Sequence, residues 1–238
     1  MILEMDTIIE GTLEAIDFLT TEVIKDTGTI IPVAMFMVVS DGEDPKFQNV
    51  PEGEIARLTV PLAPLLGADC LEMLLELMSA VQYAAGNGDK IPQEVTDAVI
   101  ALIEGSPMST NDSARLMMEP MLEKTGLDER DIVVLALQRY AREWNPLGVV
   151  ISLDSYYKDM SEEGAEMPVG SLADDPMAKE AHVLHVVCPN YRRIITKPYK
   201  ITDNNTIVYE ENITDMDLDD SVESRFFNIF KEEPSDFN

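Results

Sequence analysis

The stretch TIIPVAMFMVV, residues 29–39, decides the fold class because it predicts a buried strand. A short apolar run that is rich in β-branched residues and bounded by turn residues is typical of a strand enclosed in a sheet. Residues 54–62, EIARLTVPL, follow after a long polar connection and alternate between two faces. This alternation predicts a second strand, antiparallel to the first.

Helices are predicted before and after this strand pair in the sequence. Residues 2–25 place apolar side chains at three- and four-residue steps, which is one face of an amphipathic helix, and Gly28 favours its end. Residues 67–144 show no strand pattern and divide into four helical segments. Pro92 is placed to begin one of these helices, and Gly126 is placed to end another.

Strand patterns return after the helical region, at 147–157, 181–188, 192–201 and 206–211. Neither group of strands can bury a face alone, so both groups must share one layer. The sequence therefore predicts an α+β fold in which one mostly antiparallel sheet is built from both ends of the chain.

This fold predicts the domain organisation. We expect a single α+β domain over residues 1–212, with the helical insertion at about 67–144. Residues 213–238 form an acidic and aromatic C-terminal tail.

The charge of the chain restricts its function. It contains 45 Asp and Glu against 17 Lys and Arg, a formal net charge of −28. Neutralising phosphates requires clustered Lys and Arg, so the composition argues against direct nucleic-acid binding and against docking on anionic membranes. Only two cysteines are present and no basic, apolar leader begins the chain, so we expect a cytoplasmic protein.

Several segments together resemble a known pattern. They are VAMFMVVSDGE at 33–43, RLTVPL at 57–62, VVISLDSYY at 149–157, and the Asp-Pro-x-x-x-Glu motif from Asp175 to Glu180 that leads into AHVLHVV. This arrangement resembles uncharacterised α+β proteins encoded in bacterial and phage genomes. The resemblance implies an α+β fold and an origin in a mobile element, and it implies no particular activity.

Acidic residues crowd the end of the strand at 147–157 and the loop that follows it. Converging carboxylates hold Mg²⁺ or Mn²⁺ in metal-dependent hydrolases, and Asp154, Asp175 and Glu180 are the candidates because they lie at strand ends or motif positions. The competing interpretation is a solvated acidic loop, which we favour because no histidine joins the cluster. No cofactor motif is present, and the acids at 215–220 predict at most weak binding of a divalent cation.

His182 and His185 are the only histidines. An odd separation on a strand places two side chains on opposite faces, so this pair cannot chelate one metal ion. We therefore expect separate structural roles for them.

Two further groups are candidate binding residues. Arg192 and Arg193 belong to the chain's only basic cluster, which either binds a ligand or pairs with the protein's own acids. Phe226, Phe227 and Phe230 lie in the tail, where they either anchor a partner or dock a terminal helix.

These observations predict a non-enzymatic protein that presents an acidic surface to a partner protein with a basic surface. The alternatives are a metal-dependent hydrolase that uses the carboxylates in 154–180 and a structural component of a larger particle.

Overall fold

The computed structural model describes residues 5–44, 47, 49–66, 69–157, 178–219 and 225–230. The chain divides into two compact units. The first comprises residues 1–61 and 146–222, and the second comprises residues 62–145 and 223–238.

The first unit contains a helix and a sheet. Its elements are α1 (Met5–Thr27), β1 (Val33–Val39), β2 (Ile55–Pro61), β3 (Gly148–Tyr157), β4 (Lys179–Cys188), β5 (Tyr191–Ile201), β6 (Ile207–Tyr209) and β7 (Thr214–Asp217). The strand order is β2-β1-β3-β4-β5-β6, with β7 also pairing with β5, and the strand pairs are antiparallel. The predicted α+β fold, with one sheet built from both ends of the chain, is confirmed.

Helix α1 packs on one face of this sheet. Its apolar stripe, which includes Ile9, Leu13 and Ile16, meets Val150 and Leu184 in a buried cluster. Full burial of such a side chain contributes about 1.5–3 kcal/mol relative to exposure, so the stripe holds the helix on the sheet. The helix ends as the sequence predicted, because Gly28 adopts a φ of +71°.

The second unit is helical. Its helices are α2 (Cys70–Ala84), α3 (Gln93–Glu104), α4 (Thr110–Thr125) and α5 (Glu129–Trp144), with 3-10 turns at Pro64–Leu66 and Arg225–Asn228. Helix α2 packs against α4 and α5. A buried cluster that includes Met73, Leu77, Met118 and Ile132 forms its core. These helices occupy the insertion predicted for residues 67–144.

Local signals in the sequence fix the helix ends of the second unit. Asp69 caps α2 by accepting hydrogen bonds from two backbone amides, and Asp128 forms a capping box with Asp131 at the start of α5. Gly126 closes α4 with a φ of +69°. None of the helices in the described parts of the chain combines the length and apolar composition needed to cross a membrane.

One strand was not predicted. Strand β7 lies in the segment interpreted as a tail, and each of its residues, Thr214–Asp217, is exposed. It pairs with β5, and Asp217 lies opposite Arg193 in the register. The single domain predicted over residues 1–212 stays a prediction.

Candidate functional site

The candidate carboxylates lie at one end of the β3–β4 pair. Asp154 is directly opposite His182, and Glu180 is two residues from His182, so both carboxylates share a face of the sheet. Both residues are exposed. Asp175 lies outside the described residues, and the described residues contain no group of three His, Cys, Asp or Glu side chains placed to hold a metal ion.

Asp154 is nevertheless held in place. The hydroxyl group of Tyr199 on β5 donates a hydrogen bond of 2.8 Å to Asp154 Oδ1. Partial desolvation raises the pKa of the Asp154 carboxyl group, and the hydrogen bond from Tyr199 opposes this rise. The residue is therefore a positioned carboxylate at the sheet surface.

The histidines lie on opposite faces of a regular strand, as predicted. Asp154 faces His182 across the β3–β4 ladder and Ile151 faces His185, and the register between them is unbroken. Burial lowers the pKa of each imidazole to about 4, so both are neutral at pH 7. Asp17 raises and Lys197 lowers the pKa of His182 as smaller effects.

His182 is the centre of a buried polar network. A hydrogen bond of 2.7 Å joins His182 Nε2 to Ser152 Oγ, and another of 2.8 Å joins His182 Nδ1 to the hydroxyl group of Tyr209. A neutral imidazole donates through one nitrogen and accepts through the other, so the two hydroxyl groups take complementary roles. We call Ser152, His182 and Tyr209 the His182 network.

A partly buried ion pair adjoins this network. Lys197 lies opposite His182 in the β4–β5 register, and its Nζ donates to both carboxylate oxygens of Asp17 on α1, at 2.6 and 2.8 Å. The same ammonium group lies 5.4 Å from the centre of the Tyr209 ring. The pair joins α1 to the polar end of the sheet.

A Ser–His hydrogen bond is also the starting geometry of nucleophilic catalysis. Here Ser152 and His182 each have 0% exposed surface, and the other ring nitrogen meets a tyrosine hydroxyl group rather than a carboxylate. A nucleophile must reach its substrate, so this arrangement satisfies buried polar groups in the core rather than presenting a reactive serine.

Arg193 of the basic cluster is engaged within the first unit. Its guanidinium group donates to Glu10 on α1 and to both carboxylate oxygens of Asp215 on β7, each at 2.7 Å. The side chain of Arg193 retains 18% exposure. Arg192 precedes it on β5 and is partly buried.

The C-terminal aromatic residues lie within the second unit. Phe227 is 4% exposed in the 3-10 turn Arg225–Asn228, and Gln138 Nε2 on α5 donates to the carbonyl oxygen of Asn228 at 3.0 Å. Arg225 adds a contact of 2.6 Å to Asp128. Phe226 and Phe230 are partly buried. Of the two interpretations of this segment, docking on the protein itself describes the packing of Phe227.

At least eight of the fourteen described Lys and Arg residues pair with the chain's own acids. Those with a carboxylate partner are Lys25, Arg139, Arg142, Lys179, Arg193, Lys197, Lys200 and Arg225. Even if each of the 17 bases neutralised one acid, 28 of the 45 acids would remain uncompensated. The outer surface is therefore a broad anionic field.

No family model, no curated protein and no solved structure matches this chain.

Sequence reasoning missed the His182 network and the partner of Asp154. Ser152, Tyr199 and Tyr209 come from three strands, and they meet His182 or Asp154 only through the register of the sheet. The signal that could have found these contacts is the alternation of side chains between the two faces of a strand. Ser152 and Asp154 share a face, and so do Lys197 and Tyr199.

Proposed function

We propose that this protein acts by binding a partner protein with a basic surface and catalyses no reaction. One observation carries the proposal, namely the excess of 28 acids in a chain in which at least eight of the described bases already pair with its own carboxylates. An anionic field of this extent accelerates encounter with a basic surface and disfavours acidic partners. Such a surface would also compete with nucleic acids for their binding proteins.

The test is capture of the partner at two salt concentrations, followed by measurement with both purified proteins. The association rate constant should fall steeply between about 50 and 300 mM salt, because screening shortens the range of the field. A partner that is retained equally at both concentrations would contradict the electrostatic proposal. The variant Phe230→Ala tests the aromatic segment separately, because it leaves the net charge unchanged.

The second candidate function is a metal-dependent hydrolase. It is supported by Asp154 and Glu180, which share one face at the end of the β3–β4 pair. A specific site should raise the melting temperature in Mn²⁺, since a ligand at about 100 times its Kd stabilises the folded state by about 2.7 kcal/mol. Asp154→Asn should abolish this increase. The same increase in both proteins would reject the site.

A further inference from the structure

Helix α3 in the second unit buries little of its own surface. Among its twelve residues, Gln93–Glu104, only Ile103 is buried. Val99, one turn earlier, is partly buried against the same core. The helix packs mainly on α4. Helices in proteins are stabilised chiefly by packing an amphipathic face. Because α3 packs only a small part of its surface, much of its apolar surface remains available to a partner.

The available surface is a stripe. Val95, Ala98 and Leu102 follow the spacing i, i+3 and i+7, which places them on one side of a helix. All three are exposed, and Leu102 is 65% exposed. A single exposed leucine is ordinary, but an apolar stripe at helical spacing matches the contacts by which one helix recognises another. We call these three residues the α3 stripe.

The charges of α3 and of the whole chain indicate the charge of the partner. Helix α3 carries Glu94, Asp97 and Glu104 and no Lys or Arg. At 100° per residue, Glu94 lies beside the stripe, whereas Asp97 and Glu104 lie toward the opposite side of the helix. The net charge of the whole chain is −28. A second copy of this chain would meet like charge, whereas a helix with Lys or Arg beside an apolar stripe would meet opposite charge.

We propose that the α3 stripe is the docking face for a basic amphipathic helix of a partner protein. This inference rests on the proposed function and adds to it the location of the contact and the class of partner. The apolar residues of the incoming helix would cover Leu102 and Val95, and its basic residues would face Glu94. The anionic field would set the rate of encounter, and burial of the stripe would set the lifetime of the complex.

The test uses the full chain and three synthetic peptides of about 18 residues, a length that forms a helix once it is docked. The first is an amphipathic peptide of Leu and Lys. The second has the same composition in an order without a helical stripe. The third replaces each Lys of the first with Glu. Affinity is measured by fluorescence anisotropy at low salt.

Two leucine variants locate the contact. Leu102→Gln removes the centre of the stripe. Leu116→Gln is the matched control, because Leu116 on α4 is 54% exposed and lies two residues from the buried Ala114 and Met118, on the opposite side of its helix. Circular dichroism and a thermal melt verify that both variants are folded.

The amphipathic Lys peptide should bind at least about tenfold more tightly than its reordered form, because only the former buries a stripe. Leu102→Gln should weaken that binding about tenfold. Leu116→Gln should leave it within about twofold, a change far smaller than one buried leucine.

Four outcomes would overturn the inference. If the reordered Lys peptide binds as tightly as the amphipathic one, and with strong salt dependence, the docking face is wrong while the proposed function stands. If neither Lys peptide binds, the proposed function fails as well. Equal losses from both leucine variants would remove the assignment to α3. A homodimer that Leu102→Gln dissociates would show that a second copy covers the stripe.

Discussion

Two buried serines, one in each unit, lie in different polar surroundings. In the first unit, Ser152 on β3 is fully buried and hydrogen-bonded to His182. In the second, Ser113 on α4 is 7% exposed, and its Oγ has no hydrogen-bond partner among the described residues. The polar groups around His182 thus pair with one another in the sheet, whereas Ser113 lies next to Ala114 of the apolar cluster in the helical unit.

The surfaces of the two units are more alike. Both units join charged side chains across elements, as in Lys197 to Asp17 in the sheet unit and Arg139 to Glu76 in the helical unit. Both also expose apolar side chains, such as Phe18 on α1 and Leu102 on α3. Matched polar groups favour one register, because any slip leaves buried donors and acceptors unpaired. We infer that the sheet unit is the more sensitive of the two to small changes in its interior.

The largest expected effect follows from adding one methyl group to a glycine in each unit. A Cβ atom at Gly148 on β3 would lie 2.5 Å from Cys188 Sγ and 2.9 Å from the backbone oxygen of Val187. Gly148→Ala should therefore lower the free energy of unfolding by about 3 kcal/mol, the upper end for overpacking. Urea denaturation measures this change.

Gly105→Ala is the control in the helical unit. The nearest atom to its added Cβ is the backbone oxygen of Ala101 at 3.3 Å, and the φ of Gly105 is −78°. We expect a change within about 1 kcal/mol, since alanine adopts this conformation without strain. Equal losses from the two glycine variants would show that the sheet is not the more tightly packed unit.

The second expected effect is a dependence of stability on pH. The folded-state pKa of His182 is about 4, below the unfolded value of about 6.5, so the unfolded chain binds the additional proton. Stability from this residue is present above pH 6.5 and is lost as the pH falls toward 4. Between pH 7 and pH 5 the loss is about 2 kcal/mol.

His182→Gln separates this loss from other titrations. Glutamine does not titrate, so the variant should show a pH dependence that is smaller by about 2 kcal/mol over the same interval. His185→Gln should act similarly, because burial also lowers the pKa of His185 to about 4. Carboxylates whose pKa is raised, such as Glu72, are common to each protein and cancel in the comparison. An unchanged pH dependence in both variants would mean that the imidazoles are solvated.

The third effect tests the two serines directly. Ser152→Ala leaves a nitrogen of His182 buried without its partner, which should cost about 1–3 kcal/mol. Ser113→Ala removes a hydroxyl group that has no such partner and replaces it with the best helix former, so stability should be unchanged or higher by up to about 1 kcal/mol. Chemical denaturation of both variants measures the change in the free energy of unfolding. An equal loss of stability in the two variants would contradict the proposed difference between the serines.

The sequence predicted the elements far better than the contacts between them. The sequence predicted the strands at 29–39 and beyond 147 because the positions of their apolar residues indicate which side chains are buried. Strand β7 was not, because its residues are exposed and mostly polar, and it is placed by pairing with β5 and by the contact of Asp215 with Arg193. Ser152 and Tyr209 could not be assigned to His182 without the register, which only the assembled sheet fixes.

The candidate carboxylates show the same limit. Asp154 and Glu180 were chosen because they lie at strand ends, and the register places them on one face. Tyr199, the residue that holds Asp154, lies 45 residues away in the chain on another strand, so no local pattern linked the two. Local sequence patterns indicate whether a residue is buried, whereas the residues that it contacts depend on how the strands align.

The smallest expected effect is that of Leu102→Gln on α3, for which the adjacent Ile103 is the buried reference. Ile103 is 2% exposed within the helical core, so Ile103→Ala should lower the free energy of unfolding by about 2–4 kcal/mol. Leu102→Gln should change it by no more than about 0.5 kcal/mol, as expected for a surface position with no structural partner. Both values come from the same urea denaturation series. If Leu102→Gln costs more than about 1 kcal/mol, Leu102 already packs within the folded chain, and the α3 stripe cannot be the docking face. If its stability is unchanged while the affinity for the amphipathic Lys peptide falls, the leucine contributes to recognition rather than to folding.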